Sequence, residues 1–550
     1  MPDLIKKISA NWKSGLTVSL VSMPLSISLA VASGSTPTNG IITAIWAGLI
    51  AAIFGGSNFN VTGPTGALSG LIAAHVVIHG AGSLPILALI AGGFVLVAYA
   101  FKLQRYLIFI PSSVVNGFTL GVALIIGFNQ LNAALGLYGL PKHEKFFENI
   151  IESFRHISDT SLSTFGIFTL FLIALFVLRK TLPRLPGALA LSPVGILLGY
   201  LATTGTIPLK LATLGSVFGT IEFRFFEIPN FEFSPVFITT AAAIALVAIL
   251  ETMLSAKIAD GMTGTKHDEK KEMLGLGLAN IASGLAGGIP ATAALARTAL
   301  NVKTGANDKV SAAISSVSLA LISFFLLRYF SYIPMAVIAA ILVFVAVQMI
   351  EREHFARFYR YQRSGFWISI LVAAVTFYED PIIGIIFGTA LALLLFVERL
   401  SRGHFDIKLN TFEDGIVRSI SGDKLEEIEE NADVLLYSIK GKLAYINSRA
   451  HIDRFEQNLS KYKIVILRLR SVYFIDLDGA EALDEIIEII EKRGQKVCLT
   501  SINQNVADLL EQASINYKKL RGHGLVFTKA TEALRHFGVT PKPALKERLG

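Results

Sequence analysis

The sequence predicts an α-helical membrane protein of fourteen transmembrane helices, built as two inverted repeats of seven and followed by a cytoplasmic α/β domain. Three observations carry this. The 550 residues are 53% hydrophobic and only 16% charged, with a mean hydropathy of +0.58, too apolar for a soluble protein of this size. The charge is unevenly spread: residues 14–400 carry long apolar runs, whereas 401–550 are dense in Lys, Arg, Asp and Glu, which divides the chain into 1–402 and 403–550. Finally, an interrupted, glycine-rich apolar segment stands third in each set of seven.

A bilayer core about 30 Å thick needs roughly 20 apolar residues per helix. Turn signals and charges place the spans at 14–33, 38–55, 63–79, 83–102, 112–137, 161–181 and 188–206, then 236–257, 270–288, 291–303, 307–329, 333–351, 364–378 and 381–399. Lys6, Lys7, an apolar stretch and Ala30-Val31-Ala32 have the outline of a cleaved signal peptide. Pro24 and Ser19, Ser22, Ser26 and Ser28 make that stretch too polar for the purpose, so it reads as the first transmembrane helix. Cytoplasmic loops should carry the excess of Lys and Arg. Lys6, Lys7 and Lys13 precede helix one; Lys102 and Arg105 follow helix four; Arg179, Lys180 and Arg184 follow helix six. Lys266, Lys270 and Lys271 follow helix eight, Lys303 and Lys309 helix ten, Arg352, Arg357, Arg360 and Arg363 helix twelve, and Arg399 and Arg402 helix fourteen. All fall on one side, which puts both termini in the cytoplasm and the protein in the cytoplasmic (inner) membrane. The loops around Lys142 to Arg155 and Lys210 to Glu232, assigned outside, mix signs.

The two interrupted segments are "GGSNFNVTGPTGALSGL", Gly55 to Leu71, and "GGIPATAALARTALNVKTG", Gly287 to Gly305. Each opens with a glycine pair, passes a proline and reaches a threonine beside Gly or Ala where a helix can start. Broken helices at matching places in two halves point to a binding site between them near the midplane; the plainer alternative is that Gly and Pro only allow close helix packing. Two helix N-termini meeting in a membrane favour an anion. Arg297, expected about two turns into the second short helix, adds a permanent positive charge. An intramembrane arginine is costly and therefore functional or paired, the pairing alternative being a salt bridge to Glu251 in "ALVAILETMLSAKIADGMTG". Glu251 has three readings. It exchanges protons in the physiological range, or it ligates a cation with Ser255 one turn away, or it is a structural counter-ion.

These stretches resemble the SulP anion permeases, secondary transporters of fourteen helices with a C-terminal STAS domain. The resemblance covers nearly the whole chain and is strongest at "VTGPTGALSG", "DGMTGTKHDEKKEMLGLGLANI" and "GGIPATAALARTALNVKTGA". It implies a core domain of helices one to four and eight to eleven, and a gate domain of the others. It implies a substrate site lined by Leu25, Leu29, Thr65, Gly66, Ala67, Leu295, Ala296, Arg297 and Thr298, with Glu251 and Ser255 at the coupling-ion position. "DGMTGTKH" and "ATAALARTA" are similar to the bacterial branch that carries four-carbon dicarboxylates, and a glutamate on helix eight is similar to proton-coupled members. Sulfate is the family's default substrate; sodium-coupled bicarbonate transport, an anion channel and a nontransporting anion sensor are the alternatives. A homodimer and a cytoplasmic partner for the STAS domain also follow from the resemblance.

The tail agrees with it. "VLLYSIKGKLAYINS", "YKIVILRLRSVYFIDLDGAEALDEIIEIIEKRGQKVCLTSI" and "HGLVFT" alternate β-rich runs with amphipathic helices, and Asp478 is expected to cap the helix after "FID". Where related STAS regulators place a phosphorylatable serine after the loop aspartate, this chain has Asp476, Leu477 and Asp478; Ser471 reads as an ordinary loop serine. No metal-ligand spacing, P-loop or nucleophile elbow is present in the sequence, so neither an enzyme nor a cofactor is expected. "GLGLANIASG" lies in a membrane span with no preceding strand, which excludes a nucleotide site. The net charge of +8 is accounted for by the cytoplasmic loops and needs no nucleic acid. Cys498, the single cysteine, has no partner for an intramolecular disulfide and reads as a core residue.

Overall fold

Every expected span contains a helix in the computed structural model, which describes residues 2–141, 143, 146–182, 186–228, 234–379, 381–411, 415–422, 433–457 and 462–539. Lys142, Arg184 and Glu232 of the loop-charge reading lie outside these residues. The first set comprises α1 (Pro2–Ala32), α2 (Pro37–Phe54), α3 (Gly66–His79), α4 (Leu84–Ala100), α5 (Ser112–Phe128), α6 (Leu162–Thr181) and α7 (Gly187–Thr203). The second comprises α8 (Phe237–Thr263), α9 (Glu269–Leu285), α10 (Leu295–Lys303), α11 (Val310–Leu326), α12 (Met335–Met349), α13 (Arg363–Tyr378) and α14 (Pro381–Ser401). Among the described residues, nine helices are long and apolar enough to cross a membrane by length and composition. Two-residue strands β1 (Thr62–Gly63) and β2 (Thr292–Ala293) precede α3 and α10.

Local chemistry sets several of the helix ends. Helix α1 begins well before residue 14, and Pro24 lies inside it. Thr36 caps α2 by accepting the Asn39 N–H. Helix α8 runs past residue 257 and stops where Gly264 adopts a left-handed conformation, φ 71°. Helix α10 is shorter than expected because residues 292–293 are spent on β2.

The chain divides into two compact units, Met1–Ala392 and Leu393–Gly550, the division falling inside α14. In the first, α1, α2, α4, α8, α9 and α11 pack on one another, and α5, α6, α12 and α13 form a second set. Small residues allow the closest approaches: a Cβ at Gly275 of α9 would lie 2.6 Å from the Gly55 backbone.

The second unit contains a six-stranded sheet formed by β3 (His404–Thr411), β4 (Gly415–Gly422), β5 (Val434–Leu443), β6 (Ile464–Ile475), β7 (Lys496–Thr500) and β8 (Val526–Phe527), in the order β4-β3-β5-β6-β7-β8. Strands β5 to β8 are parallel, whereas β3 pairs antiparallel with both β4 and β5. Its helices are α15 (Tyr445–Gln457), α16 (Leu477–Lys492), α17 (Gln504–Ala513), α18 (Ile515–Gly522) and α19 (Ala530–His536). The strands alternate between two covered faces. Leu435, Tyr437 and Ile439 join the core with Leu483, Ile486 and Ile487 of α16. Val434 and Leu436 join Cys498, Ala533 and Leu534 on the other. Cys498 is a buried core residue, as expected, and burial pushes its thiol up to about 12. The cap after "FID" is corrected: it is Asp476 that accepts the Gly479 N–H, at 2.8 Å, while Asp478 sits in the first turn of α16.

Candidate anion-binding site

The two interrupted segments meet. Thr62 pairs with Ala293 and Gly63 with Thr292, antiparallel, and the Ala294 N–H donates to the Val61 carbonyl at 3.0 Å. The pairing ends one or two residues before each half-helix, so it brings the N-termini of α3 and α10 together. Thr65 and Ala294 occupy the N-cap positions in extended conformation, and neither side chain caps its helix. The first-turn N–H groups and the positive ends of both dipoles therefore remain available.

Arg297 is 2% exposed. Its position is corrected: it is the third residue of α10, within the first turn and not two turns in, because the four residues before Leu295 are not helical. One guanidinium nitrogen, Nη2, donates to the Pro64 carbonyl across the junction. The other, Nη1, is buried and has no hydrogen-bond partner among the described residues. Gly63 makes the room, since a Cβ there would stand 2.8 Å from Nη1. Arg297 and Glu251 are close enough for their charges to interact, but no ion pair within 4.0 Å joins them.

Glu251 instead accepts a hydrogen bond from the Thr65 hydroxyl at 3.1 Å. It is half-buried and lines a small cavity of about 20 Å³ with Leu250 and Leu254 of α8, Leu295 of α10, Val114, Val115 and Phe118 of α5, and Ile385 of α14. That space is sufficient for about one water. Ser255, one turn along α8, donates to the Thr298 hydroxyl at 2.9 Å, which also accepts the Val61 N–H at 3.1 Å. Ser255 and Thr298 thus tie α8, α10 and the first interrupted segment together. Gly66 and Ala67 are buried at the start of α3. Leu29 is buried and Leu25 half-buried on α1, neither lining the cavity, and Ala296 is exposed. A larger cavity of about 550 Å³ is lined by the later turns of α3 (His75, His79) with Asn129, Thr239 and Thr376.

Sequence reasoning missed the polar frame behind this arrangement. The Thr252 and Thr292 hydroxyls lie 2.8 Å apart, and Thr252 also accepts the Ala293 N–H at 3.2 Å. Asn60 donates to the Thr252 carbonyl at 3.2 Å and to Glu272 at 2.6 Å. Asn280 is bonded to the backbone of Ala291, and Asn301 donates to the Phe59 carbonyl at 2.9 Å. The available signal was three asparagines in or beside small-residue stretches, where a buried polar side chain must find a partner; Glu272 gave no such signal, because it closes the charged run "HDEKKE".

A pair of half-helices meeting head to head within an array of apolar helices, with a buried arginine beside them, is the architecture of a membrane transport protein. Residues 9–372 match the sulfate permease family and residues 427–522 the STAS domain. YvdB of Bacillus subtilis (strain 168), provisionally named a sulfate transporter, is 32% identical over 529 residues, covering 94% of this chain and 96% of its own. The bicarbonate transporter BicA of Picosynechococcus sp. is 26% identical, covering 88% of this chain and 87% of its own. Among solved structures, the murine Solute Carrier 26 family member A9 anion transporter, in its inward-facing state, superposes with a TM-score of 0.78 at 16% identity, covering 96% and 91% of the two chains. The chain belongs to the sulfate permease family. Its relatives are multi-pass anion transporters and not enzymes.

Proposed function

We propose that the protein is a secondary active transporter that moves sulfate or a four-carbon dicarboxylate with protons, by alternating access, across the cytoplasmic membrane. One observation carries the anion reading: the Nη1 of a buried arginine stands without a partner where two uncapped helix N-termini converge. In this reading Arg297 supplies charge, the first-turn N–H groups of α3 and α10 supply donors, and Leu25, Leu29, Gly66, Ala67, Leu295 and Ala296 shape the space. Glu251 carries the coupled proton, and Thr65, which stands at the N-cap of α3 and donates its hydroxyl to Glu251, is the link between proton and substrate. Sulfate stands first among substrates because of the similarity to YvdB; bicarbonate with sodium is the second reading, favoured by the similarity to BicA. The loop charges support cytoplasmic termini, and the family resemblance supports a homodimer.

The test is uptake of labelled sulfate, fumarate and bicarbonate by purified protein in liposomes, with an inward pH gradient or a sodium gradient imposed separately. Sulfate or fumarate uptake that rises with the proton gradient in sodium-free buffer supports the proposal. Uptake that ignores pH but requires sodium moves Glu251 and Ser255 to a cation site; indifference to both gradients indicates a uniporter or channel.

A further inference from the structure

The half-helix N-termini can act together only if the irregular segments in front of them are held in register, and α9 supplies one buried side chain to each. Glu272, in the first turn of α9 and 4% exposed, accepts the N–H groups of Gly56 and Ser57 on Oε2, both at 2.7 Å, and the Asn60 amide on Oε1 at 2.6 Å. All three contacts come from N–H donors, the pattern that an ionised carboxylate accepts on both oxygens. An amide in its place would set its own NH2 against one of those donors. Ser57 extends the hold by accepting the Phe59 and Asn60 N–H groups on its hydroxyl.

Two turns further along, Asn280 is 1% exposed and grips the second segment by both edges of one residue. Its Oδ1 accepts the Ala291 N–H and its Nδ2 donates to the Ala291 carbonyl, each at 2.9 Å. Residues 56–60 lead through Val61 into β1, and Ala291 leads directly into β2.

We infer that Glu272 and Asn280 are positioning residues for the anion site: from one helix they fix the two interrupted segments, and through the β1–β2 pair they set where Arg297 and Thr65 stand. This rests on the proposed anion reading of that site. Neither residue touches the cavity beside Glu251, so both act through the backbone they hold.

The experiment uses full-length protein in liposomes, with Glu272→Gln, Glu272→Asp and Asn280→Asp each compared with the unaltered chain for sulfate uptake over a range of concentrations. Asn280→Asp keeps the acceptor for Ala291 N–H and loses the donor for its carbonyl. Positioning predicts an apparent KM raised by roughly tenfold or more for Glu272→Gln and Asn280→Asp, with maximal rate changed far less. Glu272→Asp, which keeps the charge, should recover part of the loss. A second readout is independent of transport: in a Cys498→Ala background, Thr62→Cys with Ala293→Cys places two thiols at paired Cα positions, and their oxidative cross-linking should fall when Glu272→Gln or Asn280→Asp is added. Unchanged KM together with undiminished cross-linking overturns the inference. The same holds if KM rises and cross-linking falls only in protein that has lost its native elution in detergent, since that is a folding defect. Wild-type transport by an Arg297→Ala variant overturns the anion reading instead, and leaves the cross-linking result to judge Glu272 and Asn280.

Discussion

Removing the Arg297 guanidinium should cost the anion a charge-assisted contact worth about 1.5–3 kcal/mol, so Arg297→Ala is expected to lose most sulfate uptake in liposomes while inserting normally. Arg297→Lys should recover only part, because lysine keeps the charge without the planar fork that reaches the Pro64 carbonyl and leaves a second nitrogen free. Gly63→Ala is a finer test of the same contact: its Cβ would intrude to 2.8 Å from Nη1, so uptake should fall by about tenfold although no charged group is altered. Glu251→Gln preserves size and the bond from Thr65 but cannot ionise. It should abolish stimulation by a pH gradient while substrate exchange across the liposome membrane continues; loss of protein stability with no change in coupling would assign Glu251 a counter-ion role. The identities of Arg297 and Glu251 were legible as charges in apolar runs. Their relation was not: in place of the salt bridge that was the alternative reading, each makes a separate hydrogen bond, to Pro64 and Thr65, partners 233 and 186 residues away.

At the scale of elements, glycine pairs and prolines marked where the two broken helices begin, because their backbone effects are local. That the broken segments pair as strands was not legible, since a two-residue ladder has no periodicity to detect. The C-terminal strands were read from alternation and composition, yet its buried polar cluster was not foreseen. Tyr437 and Arg454 both donate to His451 Nδ1, at 2.7 and 3.2 Å. Burial, and then the Arg454 charge, holds His451 down to about 3. The unfolded chain takes up this proton from about pH 6.5 downward, while the folded chain does so only near pH 3. Stability should therefore decrease as pH falls through that window, by up to about 1.4 kcal/mol per pH unit from this group. Limited proteolysis of the full-length protein between residues 434 and 457 at pH 7, 6 and 5 should show rising susceptibility. In His451→Gln, which cannot titrate, the pH trend should flatten.

For the whole molecule, every proposed substrate position precedes Val302, so a chain ending after Arg402 should still bind labelled sulfate in detergent, with altered stability or assembly. Complete loss of binding in a truncated protein that elutes as a single native species contradicts this division of labour. Cross-linking in native membranes should trap a dimer of the full chain. By itself the sequence determined that the protein is a membrane helix array with a mixed α/β tail, where its two broken helices lie, and which charges sit among them. Hydropathy, helix breakers and isolated charges are properties of neighbouring residues, and a bilayer makes each of them expensive to misplace. The tertiary structure alone decided how the broken ends face one another, that Gly63 admits the guanidinium, and that Glu272 and Asn280 hold the approach segments. These depend on backbone groups brought together from distant parts of the chain, and a buried N–H or carbonyl accepts any partner of suitable geometry, so no local pattern in the sequence names the partner it receives.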